Sequence, residues 1–280
     1  MRSDNTAHDP PSGQSTVSSA VKTSHRARAG KLTIKGLSKS FGDATVYQDF
    51  DLDLPLGKFI SIFGPNGCGK STLINMISGL MPMDAGQVLY DGKLISESRL
   101  SYVFQNYREA LFPWLSAIDN IHYPLKRMKV PKAERAAIVD RLIDDFGIRI
   151  DLNAYPYQLS GGQQQAVSII RALVREPEVL FLDEPFSALD YEMTLLMREK
   201  LQGLFQSTGT TMILVSHDLE EAVQMADEVL MLTKRPTRVA EIIANPMSRP
   251  RRAESLTDRA FIDLRARCLQ VFQQEVSQNN

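Results

Sequence analysis

Phe59-Ile60-Ser61-Ile62-Phe63 runs directly into Gly64-Pro65-Asn66-Gly67-Cys68-Gly69-Lys70-Ser71-Thr72. The opening run is mostly apolar and predicts a short buried strand. From Thr72 to Leu80, apolar residues recur at helical spacing (Leu73, Ile74, Ile77, Leu80) and predict a helix. Strand, G-x-x-x-x-G-K-[ST] and helix, in that order, make a phosphate-binding loop in the context it requires. Gly64, Gly67 and Gly69 reach backbone conformations closed to other residues, so the chain can curl closely around an anion. Successive N–H groups then point inward, and the helix N-terminus adds partial positive charge. Lys70 is placed to reach the β- and γ-phosphates, and Ser71 to ligate Mg²⁺. By residue frequency alone the pattern arises in roughly one chain of this size in a hundred. The flanking strand and helix lower that chance further.

Outward from this loop, 280 residues permit one large domain or two small ones, and 43% hydrophobic residues supply a core. A formal charge of −1 gives no global pull toward nucleic acid or anionic lipid. Two cysteines, far apart, offer neither a disulfide framework nor a zinc pattern, which fits a reducing cytoplasm. There is no apolar run of about 18 residues, so action at a membrane would need a partner.

Residues 1–30 are Ser/Thr-rich with few large apolar side chains and are expected to be a disordered, solvated tail. They carry no apolar h-region of a signal peptide. Leu32-Thr33-Ile34 and Val46–Leu54 alternate like strands around a Gly42-Asp43 turn, and residues 86–92 predict another strand ending in a hairpin turn. Residues 101–104 predict a strand ending at Gln105. Residues 106–175 read as helical and charged. One helix opens at Pro131 and stops at Gly147, and a second starts near Ser160 and runs through Val174. After Pro177 come a strand (179–182), a helix (193–205), a strand (211–216), a helix (219–226) and a strand (229–232). Strands alternating with helices imply a largely parallel sheet covered on both faces. From Pro246 the chain is first basic (Arg249, Arg251, Arg252). A helix then carries Phe261, Leu264, Cys268 and Phe272 on one face, read as docking on its own domain rather than on lipid.

A second constellation carries chemistry. Val179-Leu180-Phe181-Leu182 is an apolar strand that delivers Asp183 and Glu184 at its carboxyl end, where open parallel sheets bind ligands. Asp183 is placed to hold Mg²⁺, directly or through water, and Glu184 to polarise an attacking water. Upstream, Leu159-Ser160-Gly161-Gly162-Gln163 is either an N-cap with a flexible turn or a second anion nest.

In this order, phosphate loop, LSGGQ and strand-Asp-Glu closely resemble the ATP-binding subunits of ABC transporters over residues 31–245. The resemblance implies an α/β P-loop NTPase: a RecA-like parallel core, an antiparallel β subdomain and a helical subdomain at 106–175. Residues 246–280 would be a C-terminal extension. It also implies an ATPase that uses ATP and Mg²⁺ in a head-to-tail dimer with a second copy. There residues 64–72 of one copy face Ser160, Gly161, Gly162 and Gln163 of the other, which would account for the second nest. Phe41 matches the aromatic that stacks on adenine, against the alternative of a core phenylalanine. Gln105 matches the glutamine that senses Mg²⁺ and the attacking water, Ser187-Ala188-Leu189-Asp190 the loop crossing the dimer interface, and His217 the histidine contacting the γ-phosphate. Catalysis then falls to Lys70, Gln105, Glu184 and His217, and metal binding to Ser71, Gln105 and Asp183. Ala166 departs from the family's usual arginine, and Ile170 from its usual small residue. Cys68, inside the loop, reads as a small tolerated side chain, with a thiol that makes the site sensitive to alkylation as the alternative.

Phe112-Pro113-Trp114, between polar stretches, reads either as core or as a socket for a partner helix. It looks like importer subunits of the nitrate, sulfonate, taurine and bicarbonate type, where this surface receives a permease. That implies a peripheral protein on the cytoplasmic face of the inner membrane, served indirectly by a periplasmic or lipid-anchored solute-binding protein. The competing readings are a soluble ABC ATPase of repair or translation, and an exporter subunit. Against the first stand a single cassette, no coiled-coil or zinc insertion and no positive charge for nucleic acid.

Overall fold

A computed structural model describes residues 30–277. The expected disordered tail therefore lies outside the described residues, Gly30 excepted. In chain order the elements are β1 (Lys31–Phe41), β2 (Ala44–Pro55), β3 (Phe59–Phe63), α1 (Lys70–Ile77), β4 (Ala85–Tyr90), β5 (Lys93–Leu94), β6 (Leu100–Val103), α2 (Tyr107–Ala110), α3 (Ala117–Arg127), α4 (Lys132–Phe146), α5 (Gly161–Leu173), β7 (Val179–Asp183), α6 (Tyr191–Thr208), β8 (Thr211–Val215), α7 (Leu219–Met225), β9 (Glu228–Leu232), β10 (Val239–Ala244) and α8 (Arg259–Ser277).

The strands form two sheets. One has six strands in the order β10-β9-β3-β8-β7-β6, parallel except for β10 on β9. The other has four antiparallel strands in the order β2-β1-β4-β5. Side-chain alternation along the parallel strands divides their apolar residues between two cores. Phe59, Leu180, Leu182, Met212 and Leu214 face a core shared with α3, α4, α5 and α6. Ile60, Ile62, Phe181, Ile213 and Val215 face a core shared with α1 and the antiparallel sheet. This is why β3, β7 and β8 read as mostly apolar runs with no alternation: both faces are covered.

Several boundaries differ from expectation for local reasons. Helix α1 ends at Ile77, not Leu80, because the chain turns at Gly79 (φ +80°). Helix α6 begins at Tyr191, two residues before the apolar pattern, because Asp190 Oδ1 accepts from Met193 N at 2.8 Å and caps it. Strand β10 was not foreseen: it is an edge strand with little burial, so its alternation carries weak signal. Helix α8 packs on α7, β9 and β10 through Phe261, Leu264, Cys268 and Val271, and Phe272 meets Phe63 with ring centroids 5.4 Å apart.

Candidate nucleotide and hydrolysis site

The parallel strands place their carboxyl ends together, and the chemistry-bearing residues leave from those ends. After β3 the chain turns through Gly64–Gly69 into α1. A Cβ on Gly64 would lie 2.8 Å from the Leu232 carbonyl oxygen. Gly69 holds φ +110° with Val46 Cγ1 2.6 Å from any added Cβ, so no other residue fits there. The N-terminus of α1 has no side-chain cap and no acidic residue in its first turn, leaving its leading N–H groups for an anion. Lys70 Nζ donates to the Gly64 and Pro65 carbonyls at 2.8 and 3.1 Å, so the ammonium is held inside the loop it serves. Asn66 and Gly67 form the exposed lip, and Thr72 sits in the first turn of α1.

Behind the loop stand groups the motif did not reveal. Tyr47 Oη donates to the Gly69 carbonyl at 3.0 Å, and the Thr237 hydroxyl donates to the Cys68 carbonyl. Both brace the turn from its far side. Tyr47 lies inside an ordinary strand pattern and Thr237 in a loop, so neither gave a signal in the sequence.

Ser71 Oγ donates to Asp183 Oδ1 at 3.2 Å, and Tyr102 Oη donates to Asp183 Oδ2 at 3.1 Å. Asp183 is 6% exposed. Burial raises its carboxyl above the usual carboxylate range, and the two hydroxyl donors oppose only part of that rise. Among the described residues no cluster of three or more His, Cys, Asp or Glu is set to hold a metal. A hydroxyl and one buried carboxylate are nevertheless the hard oxygen donors that Mg²⁺ uses when phosphate oxygens and waters complete its shell. The residues thus fit Mg²⁺ bound together with a nucleotide. Gln105 stands apart from this pair: its Nε2 donates to Glu184 Oε2 at 2.8 Å. His217 Nδ1 lies 3.1 Å from the same oxygen. Glu184 holds a left-handed backbone (φ +46°), fixed by its N–H donating to the Val215 carbonyl at 2.9 Å. Gln105, Glu184 and His217, from the ends of β6, β7 and β8, therefore converge on one oxygen.

Phe41 is 48% exposed, with Lys39 Nζ 5.5 Å from its ring centroid, so it is a surface aromatic and not a core residue. Ser160 caps α5: Gln163 N donates to its Oγ at 3.3 Å, and Gln163 Oε1 accepts from Ser160 N at 2.9 Å. Among the described residues no hydrogen bond or ion pair joins Ser160–Gln163 to the phosphate loop. Gly161 faces the Tyr107 hydroxyl, which would lie 2.5 Å from an added Cβ, and Gly162 faces Leu189. Asp190, at the end of the loop expected to cross the dimer interface, spends its side chain on the cap of α6.

Burial favours the reading of Cys68 as a small packed side chain over a reactive thiol. Its side chain packs in the core behind the loop at 1% exposure, and desolvation pushes the thiol up. Cys268 is also buried, and its thiol is raised to about 11. Folded protein is therefore expected to show almost no thiol titratable by a disulfide reagent within minutes, and two in denaturant. Rapid modification of Cys68 without unfolding would contradict this packing.

A buried polar cluster supports the His217 loop from behind. Arg198 donates to Glu221 Oε2 at 3.3 Å and to Gln224 Oε1 at 3.1 Å, and Asp218 caps α7. Burial pushes the Glu221 carboxyl up to about 7, against the opposing pull of Arg198. Its proton is bound more tightly in the folded chain than at the ordinary value of 4.5, so this contribution to stability is lost as pH rises toward about 7. Glu221→Gln, neutral throughout, is expected to gain melting temperature relative to wild type from about pH 5 to 7 and hold a constant difference above that. A difference flat across the range would refute the shift.

The segment between Gln105 and α3 is held by Asn120, which is fully buried. Its Oδ1 accepts from Phe112 N at 2.9 Å, and its Nδ2 donates to the Phe112, Leu115 and Ser116 carbonyls at 3.1, 3.0 and 3.1 Å. Phe112 packs tilted against Tyr123 with ring centroids 4.7 Å apart, while Pro113 is exposed and Trp114 is 70% exposed.

An uncapped phosphate loop, a Ser–Asp oxygen pair and a braced glutamate at one sheet edge define a P-loop nucleotide-binding cassette. The chain belongs to the ABC transporter family, whose ATP-binding domain matches residues 47–187. An uncharacterized ABC transporter ATP-binding protein of Methanocaldococcus jannaschii is 36% identical over 252 residues, 88% of this chain and 92% of that protein. A spermidine/putrescine import ATP-binding protein of Pasteurella multocida is 39% identical over 72% of this chain and 56% of its own length. A sulfate/thiosulfate import ATP-binding protein of Neisseria meningitidis is 39% identical over 72% of this chain and 58% of its own. The chain thus spans a little over half the length of these two importer proteins. Among solved structures, a dimeric ATP-binding cassette in a post-hydrolysis state with ADP and Pi matches with TM-score 0.67 and 28% identity, over 76% of this chain and 98% of that one. None of these relatives is named for nitrate, sulfonate, taurine or bicarbonate.

Proposed function

We propose that this chain hydrolyses ATP as one half of a head-to-tail pair and drives solute import through a separate permease. The observation that carries the reading is the meeting of Gln105 and His217 on the oxygen of Glu184, beside a loop shaped for a triphosphate. Ser71 and Asp183 would hold Mg²⁺, which would supply charge neutralisation to a bound triphosphate. Lys70 leaves the loop carbonyls for the γ-phosphate. Gln105 and His217 hold the Glu184 carboxylate, which accepts a proton from the attacking water. Phe41 offers its open ring to the base.

The reading needs a further group that meets the γ-phosphate from the side away from the loop. The capped N-terminus of α5, with Ser160 and Gly161, supplies it from the second copy. Turnover per chain is expected to rise with protein concentration and level off as pairs form. Turnover independent of concentration, and unaffected by Ser160→Ala, would remove the paired reading.

The permease contact is placed at Phe112, Pro113 and Trp114, an aromatic cluster on a loop that Asn120 makes rigid. In the described residues no helix is long and apolar enough to cross a membrane, and the proposal gives the spanning role to another chain. The site on the cytoplasmic face of the inner membrane and the solute-binding protein on the other side belong to the same proposal. So does a solute of nitrate, sulfonate or taurine type, which rests on the Phe112–Trp114 segment alone. Co-purification of the tagged chain with a membrane permease tests the partner, and Trp114→Ala is expected to weaken it. Recovery with ribosomes or DNA instead would favour the soluble alternative.

A further inference from the structure

Tyr102 stands at the site and neither motif accounts for it. It lies on β6, the edge strand, whose pairing with β7 ends at Val103 opposite Leu182. Past that point the Tyr102 hydroxyl continues the connection, donating to Asp183 Oδ2 at 3.1 Å. Its ring is held between Phe104, with centroids 4.6 Å apart, and Phe181 at 6.1 Å, so the hydroxyl is delivered in a fixed direction. An ordinary tyrosine hydroxyl is protonated at neutral pH, so the group is a donor to the carboxylate.

The last torsion of an aspartate is broad and roughly two-fold. Ser71 engages only Oδ1, which by itself leaves the carboxylate plane free to turn. A second donor on Oδ2 fixes that plane. We propose that Tyr102 is a positioning residue for the metal carboxylate: it pins one oxygen of Asp183 so that the other faces Ser71 and the divalent cation. The same bond ties the carboxylate to the strand that runs on through Phe104 to Gln105. The proposal rests on the assignment of Ser71 and Asp183 to Mg²⁺ made above.

Tyr102→Phe keeps the ring contacts and removes only the donor. With a non-hydrolysable ATP analogue bound, free Mn²⁺ followed by electron paramagnetic resonance reads metal affinity directly. The variant is expected to bind Mn²⁺ about tenfold more weakly, the lower range for loss of a group that orients a metal ligand. Analogue affinity in the presence of a chelator and the melting temperature of the nucleotide-free protein are expected to stay at wild-type values. In an Asp183→Asn background the same substitution is expected to have no further effect on Mn²⁺, because the hydroxyl acts through that carboxylate. Unchanged Mn²⁺ affinity in Tyr102→Phe, or an equal fall in metal-free analogue binding, would overturn the positioning role and leave the Mg²⁺ assignment standing. If Asp183→Asn itself binds Mn²⁺ like wild type, the assignment fails and the Tyr102 proposal with it.

Discussion

Glu184→Gln is expected to bind ATP at near wild-type affinity while hydrolysis falls by about 10²–10⁴-fold, the range for removing a positioned general base. The substitution preserves shape and an acceptor oxygen for Gln105 and His217, which now sit 2.8 and 3.1 Å from Oε2. What it removes is the negative charge that makes the oxygen a proton acceptor. The phosphate loop, the Ser71–Asp183 pair and Lys70 are untouched, so binding should persist, and ATP should hold the paired state long enough for size-exclusion chromatography to resolve it. The backbone strain at φ +46° is the same for both side chains. Single-turnover hydrolysis, measured beside equilibrium binding of a fluorescent analogue, separates the two effects. Turnover at the wild-type rate would move the base elsewhere.

Asp227→Ala is expected to cost about 3–5 kcal/mol of folding stability, the scale for breaking a buried ion pair. Its Oδ1 accepts from Arg249 Nε at 2.9 Å and from Arg251 Nη2 at 3.1 Å, and its Oδ2 accepts from Phe59 N at 3.1 Å. Arg251 is 3% exposed, and Arg249 packs over the rings of Phe59 and Phe205, 5.3 and 4.6 Å from their centroids. Burial lowers both guanidinium pKa values, that of Arg251 to about 10, with the neighbouring Arg249 charge adding to the effect. Without the carboxylate, two cations would lie desolvated against each other at the start of β3. Ordinary domains have about 5–15 kcal/mol in total, so the variant should sit near the edge of folding. Arg252→Ala, on an exposed neighbour, should change stability by no more than about 0.5 kcal/mol. Urea denaturation of the two variants side by side is the check. Near-equal midpoints would mean that the cluster is solvated and contributes little.

The contrast between Arg251 and Arg252 shows where reading the chain stops. Arg249, Arg251 and Arg252 read as one basic stretch, yet two of them turn inward to a carboxylate more than twenty residues away. Nothing local separates a guanidinium that meets water from one that meets Asp227. Ser160 shows the opposite case. LSGGQ was legible as an N-cap from its residue types alone, because capping acts within three residues of chain. Asn120 also escaped notice: one amide inside a helical pattern says nothing about the three carbonyls that its Nδ2 meets.

What the order of residues determined alone was whatever depends on short-range geometry: the glycine turn that opens α1, the mostly apolar runs of β3, β7 and β8, the Ser160 cap, and the strand ends that carry Asp183 and His217. Those signals act over a few residues, through backbone sterics and side-chain period. Only the tertiary structure decided that Gln105 and His217 share an oxygen of Glu184, that Tyr102 reaches Asp183, and that the Cys68 thiol is closed off. These are meetings of groups far apart in the chain. They are set by the register of β6, β7 and β8 and by the depth of the core, neither of which leaves a periodic trace in the sequence.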